Sequence, residues 1–101
     1  MNNFRNKKHS TRSKPIRINH SHILFEDENY LLVNKLSGWI LDLGFKKDQV
    51  TLTSSLKSFI KNRDKLQSPP FLHKLSKMKK DDSGIALYSK NTKSKEYLLS
   101  L

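Results

Sequence analysis

The chain contains no cysteine, no long apolar run and few apolar residues, and these absences limit the class of protein that it can be. Without thiols, neither a disulfide framework nor a thiolate metal site is available among its 101 residues. The longest uninterrupted apolar runs hold four residues, as at Tyr30–Val33, whereas a helix needs about 20 to cross a bilayer. Apolar residues make up 35%, which supports one modest core. The sequence therefore predicts a single small soluble domain without membrane contact.

Acidic residues are scarce as well. Nine Asp and Glu face 20 Lys and Arg, which gives a formal net charge of +11. Such an excess favours a polyanionic partner, of which nucleic acid is the commonest, although a lysine-rich genome composition also produces it. Six of the cations lie in residues 1–22, which hold no acid at all: Arg5, Lys7, Lys8, Arg12, Lys14 and Arg17.

Residues 1–22 have few apolar side chains, and these lack helical spacing, so burial does not offset the entropy of ordering the segment. The composition predicts a disordered basic arm that contacts phosphates loosely. A solvated extension and an organellar transit peptide are the alternatives. The histidines at 9, 20 and 22 lack a spaced carboxylate, which argues against a metal site.

Three apolar runs predict strands in the first part of the folded region. Ile23–Phe25 and Tyr30–Val33 are separated by four polar residues, a spacing that fits a hairpin. Trp39–Leu41 is predicted to form a third strand, with Trp39 as a core anchor, and base stacking as the alternative. The acids at 26–28 are predicted to form a polar turn, and a metal site is the alternative.

Helical and strand patterns follow. Thr51 is a predicted N-cap for an amphipathic helix whose apolar face is Leu52, Leu56, Phe59 and Ile60. Ser68-Pro69-Pro70 is expected to end that helix, Ile85–Tyr88 to form a strand, and Lys93–Leu101 to begin a second helix capped by Asn91 or Thr92. The predicted class is α+β, with a partial, mostly antiparallel sheet and one or two helices.

Three segments carry a resemblance to a known family: ILFEDENYLLVNK at 23–35, LHKL at 72–75 and DSGIALYSK at 82–90. In this order they resemble the RluA-type (RsuA/RluA-like) pseudouridine synthases, which show ILYEDEDLLVVNK, then Val-His-Arg-Leu, then Thr-Ser-Gly ahead of an apolar strand. The resemblance spans residues 23–95. It implies that residues 23–101 form the N-terminal part of such a catalytic domain, with an open sheet edge that a partner chain would cover.

The family isomerises uridine to pseudouridine in RNA without a cofactor or metal, through one catalytic aspartate. Its position falls on Ser76 when counted from His73, and on Lys79 when counted back from Gly84, because the segment is longer than in the family. A serine hydroxyl without an adjacent base is a poor nucleophile. Asp81 or Asp82 would have to move into place to supply the missing carboxylate.

The resemblance therefore implies a degenerate catalytic pair, Ser76 and Lys74, with RNA contacts from His73, Lys77, Lys79 and Lys80. Three interpretations remain open. The chain is an inactive or truncated synthase that retains binding to ribosomal or transfer RNA, in the cytoplasm or an organellar matrix. It is an active synthase whose remainder is encoded separately or lost to a frameshift. Or it is a small non-catalytic RNA-binding or ribosome-associated protein that reuses the fold.

Overall fold

The folded region is a four-stranded antiparallel sheet with two helices. The structure is a computed structural model, and it describes residues 16–43 and 49–101. The elements in chain order are β1 (Ile23–Glu26), β2 (Tyr30–Lys35), α1 (Leu52–Arg63), β3 (His73–Lys74), β4 (Gly84–Ser89) and α2 (Thr92–Leu99). In the sheet the strands lie in the order β1-β2-β4-β3. The predicted α+β class with an antiparallel sheet is confirmed.

The predicted hairpin is confirmed in β1 and β2, which pair with Ile23 opposite Val33. The Asp27 carboxylate forms its turn, because one oxygen accepts hydrogen bonds from the backbone amides of Asn29 at 2.8 Å and Tyr30 at 2.7 Å. A short polar side chain that satisfies amides two and three residues ahead is what makes aspartate a turn former. The acidic cluster thus has a structural use.

One face of the sheet packs on α1 to form the core. Alternate residues of β2 and β4 are fully buried, as period-2 strands require when one face is covered. The apolar members of the core are Leu31, Val33, Leu41, Leu52, Leu56, Ile60, Leu72, Ala86 and Tyr88. The sequence-predicted stripe of α1 is therefore the helical half of this core, with Phe59 half-buried at its margin.

Capping fixes both ends of α1. At the start, Thr51 accepts a hydrogen bond from the Ser54 amide at 3.1 Å, which confirms the predicted N-cap. At the end, Lys65 adopts the left-handed conformation with φ 55°. The Leu66 amide then donates to the Lys61 carbonyl at 2.9 Å, the closing bond of a Schellman motif. The helix therefore ends at Arg63, ahead of the prolines that were expected to stop it.

The predicted strand at Trp39–Leu41 is wrong. The carbonyl of Ile40 accepts from the Leu52 amide at 2.7 Å, and that of Leu41 accepts from the Thr53 amide at 3.1 Å. These amides belong to the first turn of α1 and have no partner within the helix. The backbone at 40–41 thus satisfies a helix start instead of a neighbouring strand, while Trp39 packs half-buried against the core as predicted.

The predicted disorder of the basic arm is wrong for residues 16–22, which contact the folded region. Ile16 and Ile18 pack against the core, and His20–His22 form one turn of 3-10 helix capped by Asn19. The rest of the predicted arm, with His9, lies outside the described residues. Over the two described ranges, neither helix has the length and apolarity that a membrane crossing requires.

Candidate functional site

A buried lysine ties the turn after β2 to the loop ahead of β4. Lys35 is fully buried, and its ammonium donates to the carbonyl oxygens of Leu36 at 3.2 Å, Lys80 at 3.0 Å and Asp82. An ammonium group has three N–H donors, so the three carbonyls satisfy it completely. Burial lowers the pKa of Lys35, while the carboxylates of Asp82 and Asp81 act in the opposite direction.

The same two turns are joined through backbone. The amide of Gly38, at φ 96°, donates to the Lys80 carbonyl at 2.8 Å. Glycine reaches this left-handed region without steric cost. The 79–82 turn is closed by the Asp82 amide, which donates to the Lys79 carbonyl at 3.0 Å, and by the Asp82 carboxylate, which accepts from the Lys79 amide at 2.8 Å. Residues 79–82 are therefore held in one conformation beside β2.

This arrangement leaves a cleft of about 330 Å³ between the 77–82 loop and the segment that follows β2. It is lined by Leu41, Asp42, Lys74, Lys77, Met78, Lys79 and Asp82. Leu41 belongs to the core and Met78 packs against it, so the cleft has an apolar part. Three ammonium groups and two carboxylates supply the charge. The cleft can bind an anionic group and hydrogen-bond donors at the same time.

Three of the sequence-predicted residues, Lys74, Lys77 and Lys79, come together in the lining of this cleft. Lys80 lies outside the lining, where its carbonyl accepts the hydrogen bonds from Lys35 and Gly38 and its side chain is exposed. The loop thus presents Lys77 and Lys79, but not Lys80, to the cleft.

Ser76 and His73 also lie outside the lining and contribute to the sheet edge. The Ser76 hydroxyl accepts a hydrogen bond from the Leu87 amide at 2.8 Å, and the Leu75 amide donates to the Leu87 carbonyl at 2.8 Å. Together these bonds extend the two-residue pairing of β3 with β4. His73 lies opposite Ser89 in that pairing, and its pKa is lowered chiefly by burial. The Ser76 hydroxyl is thus hydrogen-bonded to the backbone of β4.

Two aspartates line the cleft although neither Ser76 nor Lys79 is acidic. Asp82 lines it through the geometry of its own turn, without any rearrangement, while Asp81 does not. Asp42 lines it because residues 40–41 are fixed to the start of α1. Sequence reasoning missed Asp42, and the only signal was its position directly after the apolar run at 39–41.

A second charged cluster stabilises the far end of the sheet. The Glu26 carboxylate accepts two hydrogen bonds from the Arg63 guanidinium, at 2.7 and 2.9 Å, and one from the Lys90 ammonium at 2.6 Å. The Arg63 hydrogen bonds, and then Lys90, hold the pKa of Glu26 below its usual range despite partial burial. The cluster joins β1, α1 and the end of β4. Within 16–43 and 49–101, no three His, Asp or Glu side chains are grouped as metal ligands.

No model of a known protein family matches the sequence, and no curated protein matches it significantly. The resemblance to pseudouridine synthases accordingly depends on the three motifs alone.

Proposed function

We propose that the chain binds RNA through this cleft, as a pseudouridine synthase-like protein that holds a nucleotide without isomerising it. The observation that carries the proposal is the convergence of Lys74, Lys77 and Lys79 with two carboxylates on one cleft. The non-catalytic part follows from the side chains at the two positions to which the family's aspartate corresponds: Ser76, whose hydroxyl is bonded to backbone, and Lys79, which is a cation.

The lining suits a nucleotide better than a bare anion. Lysine ammonium groups bind phosphate oxygens as point charges. The carboxylates of Asp42 and Asp82 accept hydrogen bonds from ribose hydroxyls and from base N–H groups, which a nucleotide carries in addition to its phosphate. Leu41 and Met78 offer an apolar surface to a base or sugar. The 2′-hydroxyl is what distinguishes RNA from DNA at such a site.

The overall charge favours the same partner. A formal net charge of +11 attracts a polyanion and makes its affinity fall as salt rises. The basic arm adds phosphate contacts in this proposal without contributing sequence preference. Ribosomal and transfer RNA are the proposed targets. The alternative is a small non-catalytic, ribosome-associated protein that reuses the fold and binds RNA through the same surface.

The proposal is tested by fluorescence anisotropy with labelled single-stranded RNA over a range of salt concentrations. A triple variant, Lys74→Gln with Lys77→Gln and Lys79→Gln, is expected to bind more weakly. Its slope of log K against log salt is expected to be shallower by about 2, since each phosphate contact on a single strand contributes roughly 0.7.

The matched control replaces Lys57, Lys61 and Lys65 with Gln, which removes the same charge from α1 and its end, outside the cleft lining. This control is expected to retain most of the affinity. Equal losses in the two triple variants would show that only net charge matters and would refute the cleft as the binding site.

Uridine isomerisation is a second candidate function, favoured by one observation, the presence of the Asp82 carboxylate in the cleft. An assay for pseudouridine in RNA incubated with the purified chain distinguishes isomerisation from RNA binding alone. No product is expected. Product that disappears in Asp82→Asn but persists in Asp81→Asn, a neighbour outside the cleft lining, would establish the enzyme and overturn the non-catalytic proposal.

Installing the family's aspartate gives a complementary measurement. The Ser76→Asp variant is expected to gain no activity, because position 76 is directed to the β4 backbone at Leu87 and not to the cleft lining. A robust gain would show that the cleft retains every other group that the reaction needs.

A further inference from the structure

The sheet face opposite α1 carries an aromatic groove that the lysine-lined cleft does not use. Its side chains come from the residues of β2 and β4 that alternate with the buried core residues, from β1, and from α2. The groove has a volume of about 320 Å³ and is lined by Phe25, Tyr30, Leu32, Leu87, Tyr97 and Leu98. This volume lies at the lower end of the ~300–1,000 Å³ that small-molecule sites occupy.

Two of the rings in this groove are solvent-exposed. Phe25 is 48% exposed on β1 and Tyr97 is 60% exposed on α2, and the third ring of the lining, Tyr30, is half-buried. Exposed rings that lie together on one face of a small chain are candidates for an interaction site. Rings are the part of such a surface that can stack on flat partners.

We infer that this groove stacks the bases of single-stranded RNA, an inference that rests on the proposed RNA binding but assigns it a second surface. Every nucleobase has a π face, so exposed rings on an antiparallel sheet bind successive bases with little sequence preference. Phe25, Tyr30 and Tyr97 supply the rings, and Leu32, Leu87 and Leu98 complete the apolar lining.

Charge decides between RNA and a second copy of the chain as the occupant. A second copy brings the same net charge of +11 toward the groove, and the two like-charged molecules repel each other. An RNA strand brings the opposite charge. The same apolar area therefore favours a polyanion with flat apolar groups over self-association.

A polar groove continues from the aromatic one and shares Tyr30 and Tyr97 with it. Lys93, at the start of α2, lines this second groove and can contact a phosphate beside a stacked base. Glu28 lines it too, and its carboxylate accepts hydrogen bonds from base amino groups or ribose hydroxyls. A strand laid across both grooves thus meets stacking, phosphate and base-edge contacts.

The test compares two fluorescein-labelled probes of equal length and charge, an oligouridylate and an abasic ribose-phosphate oligomer. The full chain is expected to bind the oligouridylate more tightly. Tyr97→Leu is expected to weaken oligouridylate binding about tenfold and to leave abasic binding unchanged, since stacking on one ring is worth roughly that factor. Tyr97→Phe keeps the ring and is expected to bind as the unaltered chain does.

The outcomes separate this inference from the function on which it rests. Binding of both probes with equal affinity, unaffected by Tyr97→Leu, would overturn the stacking groove while leaving RNA binding intact. Binding of neither probe would overturn both. Sedimentation that shows a dimer of the free chain, dissociated by Tyr97→Leu, would assign the groove to a second copy and overturn the inference. Because Tyr97 is exposed, circular dichroism is expected to show an unchanged fold in both variants.

Discussion

The Lys35 ammonium donates a hydrogen bond to the carbonyl oxygen of Lys80, 3.0 Å away and 45 residues further along the chain. With the bonds from Lys35 to Leu36 and Asp82, it holds the turn after β2 against the turn ahead of β4. The lining of the candidate RNA cleft includes residues on both sides of this junction. The shape of the cleft therefore depends on a side chain that is not itself exposed to a ligand.

Replacing Lys35 with methionine is expected to lower the free energy of unfolding by about 3 kcal/mol. Methionine has a similar volume but no donor, so the Leu36 and Asp82 carbonyls lose the ammonium and the Lys80 carbonyl keeps only the Gly38 amide. A hydrogen bond to a charged group is worth about 1.5–3 kcal/mol. Urea denaturation followed by circular dichroism measures the change.

The matched control for that substitution is Lys80→Met, which removes an exposed ammonium but keeps the carbonyl that Lys35 binds. Its expected effect is within about 0.5 kcal/mol. Similar losses in the two variants would contradict a specific role for the buried ammonium.

Glu26 is expected to make the stability of the protein depend on pH. Its pKa in the folded state lies below 4.5, its ordinary value, because the carboxylate is bonded to Arg63 and Lys90. The unfolded state therefore binds protons first as pH falls, so the stabilisation is fully present above about pH 4.5 and is lost as pH falls through the folded-state pKa.

Glu26→Gln is the variant that measures this contribution. It is expected to cost about 2 kcal/mol near pH 7, where charge-assisted hydrogen bonds are lost, and much less near pH 3, where the native glutamate is itself neutral. Glu96→Gln on the exposed face of α2 serves as the control. A difference from the unaltered chain that stays constant with pH would show that the ion pairs do not stabilise the fold.

Lys65→Gly is expected to stabilise the chain by about 0.5–1 kcal/mol. Lys65 has a φ of 55°, a conformation that costs a side-chain-bearing residue about 1–2 kcal/mol. Glycine avoids this cost, but part of the gain is offset because glycine loses more backbone entropy on folding. The control, Lys61→Gly, lies inside α1 and is expected to destabilise by about 1 kcal/mol. Thermal melts of both variants should shift in opposite directions.

Two buried hydroxyls are expected to respond in opposite ways to removal. The Ser89 hydroxyl is fully buried and has no hydrogen-bond partner among the described residues, so Ser89→Ala is expected to raise stability by about 1 kcal/mol. Thr53 bonds the Leu41 carbonyl and the buried Tyr88 hydroxyl, each at 2.9 Å, so Thr53→Val is expected to cost about 2 kcal/mol. A destabilised Ser89→Ala would reveal a partner for that hydroxyl.

The elements that depend on short-range patterns were predictable from sequence. Apolar runs separated by turn residues indicated the β1–β2 hairpin, and helical spacing indicated α1. Thr51 was identified as the cap of α1, and Asn91, the cap of α2, was one of two candidates beside Thr92. The prediction of a third strand at Trp39–Leu41 was wrong for a physical reason. An apolar run such as 39–41 indicates burial, but whether its carbonyls face another strand or a helix start is decided by chain segments outside the run. The two-residue β3 has no pattern to detect.

The candidate site was predictable only in part. The three lysines from 74 to 79 identify one wall of the cleft. Asp42 lies in the same lining because of the path that the chain takes after β2, which no local pattern specifies. Lys35 could not have been identified as the buried junction, because lysine is almost never fully buried unless it is paired, and its partners are backbone carbonyls far along the chain.

The order of strands in the sheet has a consequence for how the chain folds during synthesis. β2 and β4 are central neighbours, with Lys35 opposite Gly84 and Tyr30 opposite Ser89, yet α1 and β3 are translated between them. The hairpin of β1 and β2 leaves the ribosome first, and the inner edge of β2 has no partner until β4 emerges and a long loop closes. Aggregation through that edge is a hazard of the nascent chain, at its greatest during this interval and removed when the ladder forms.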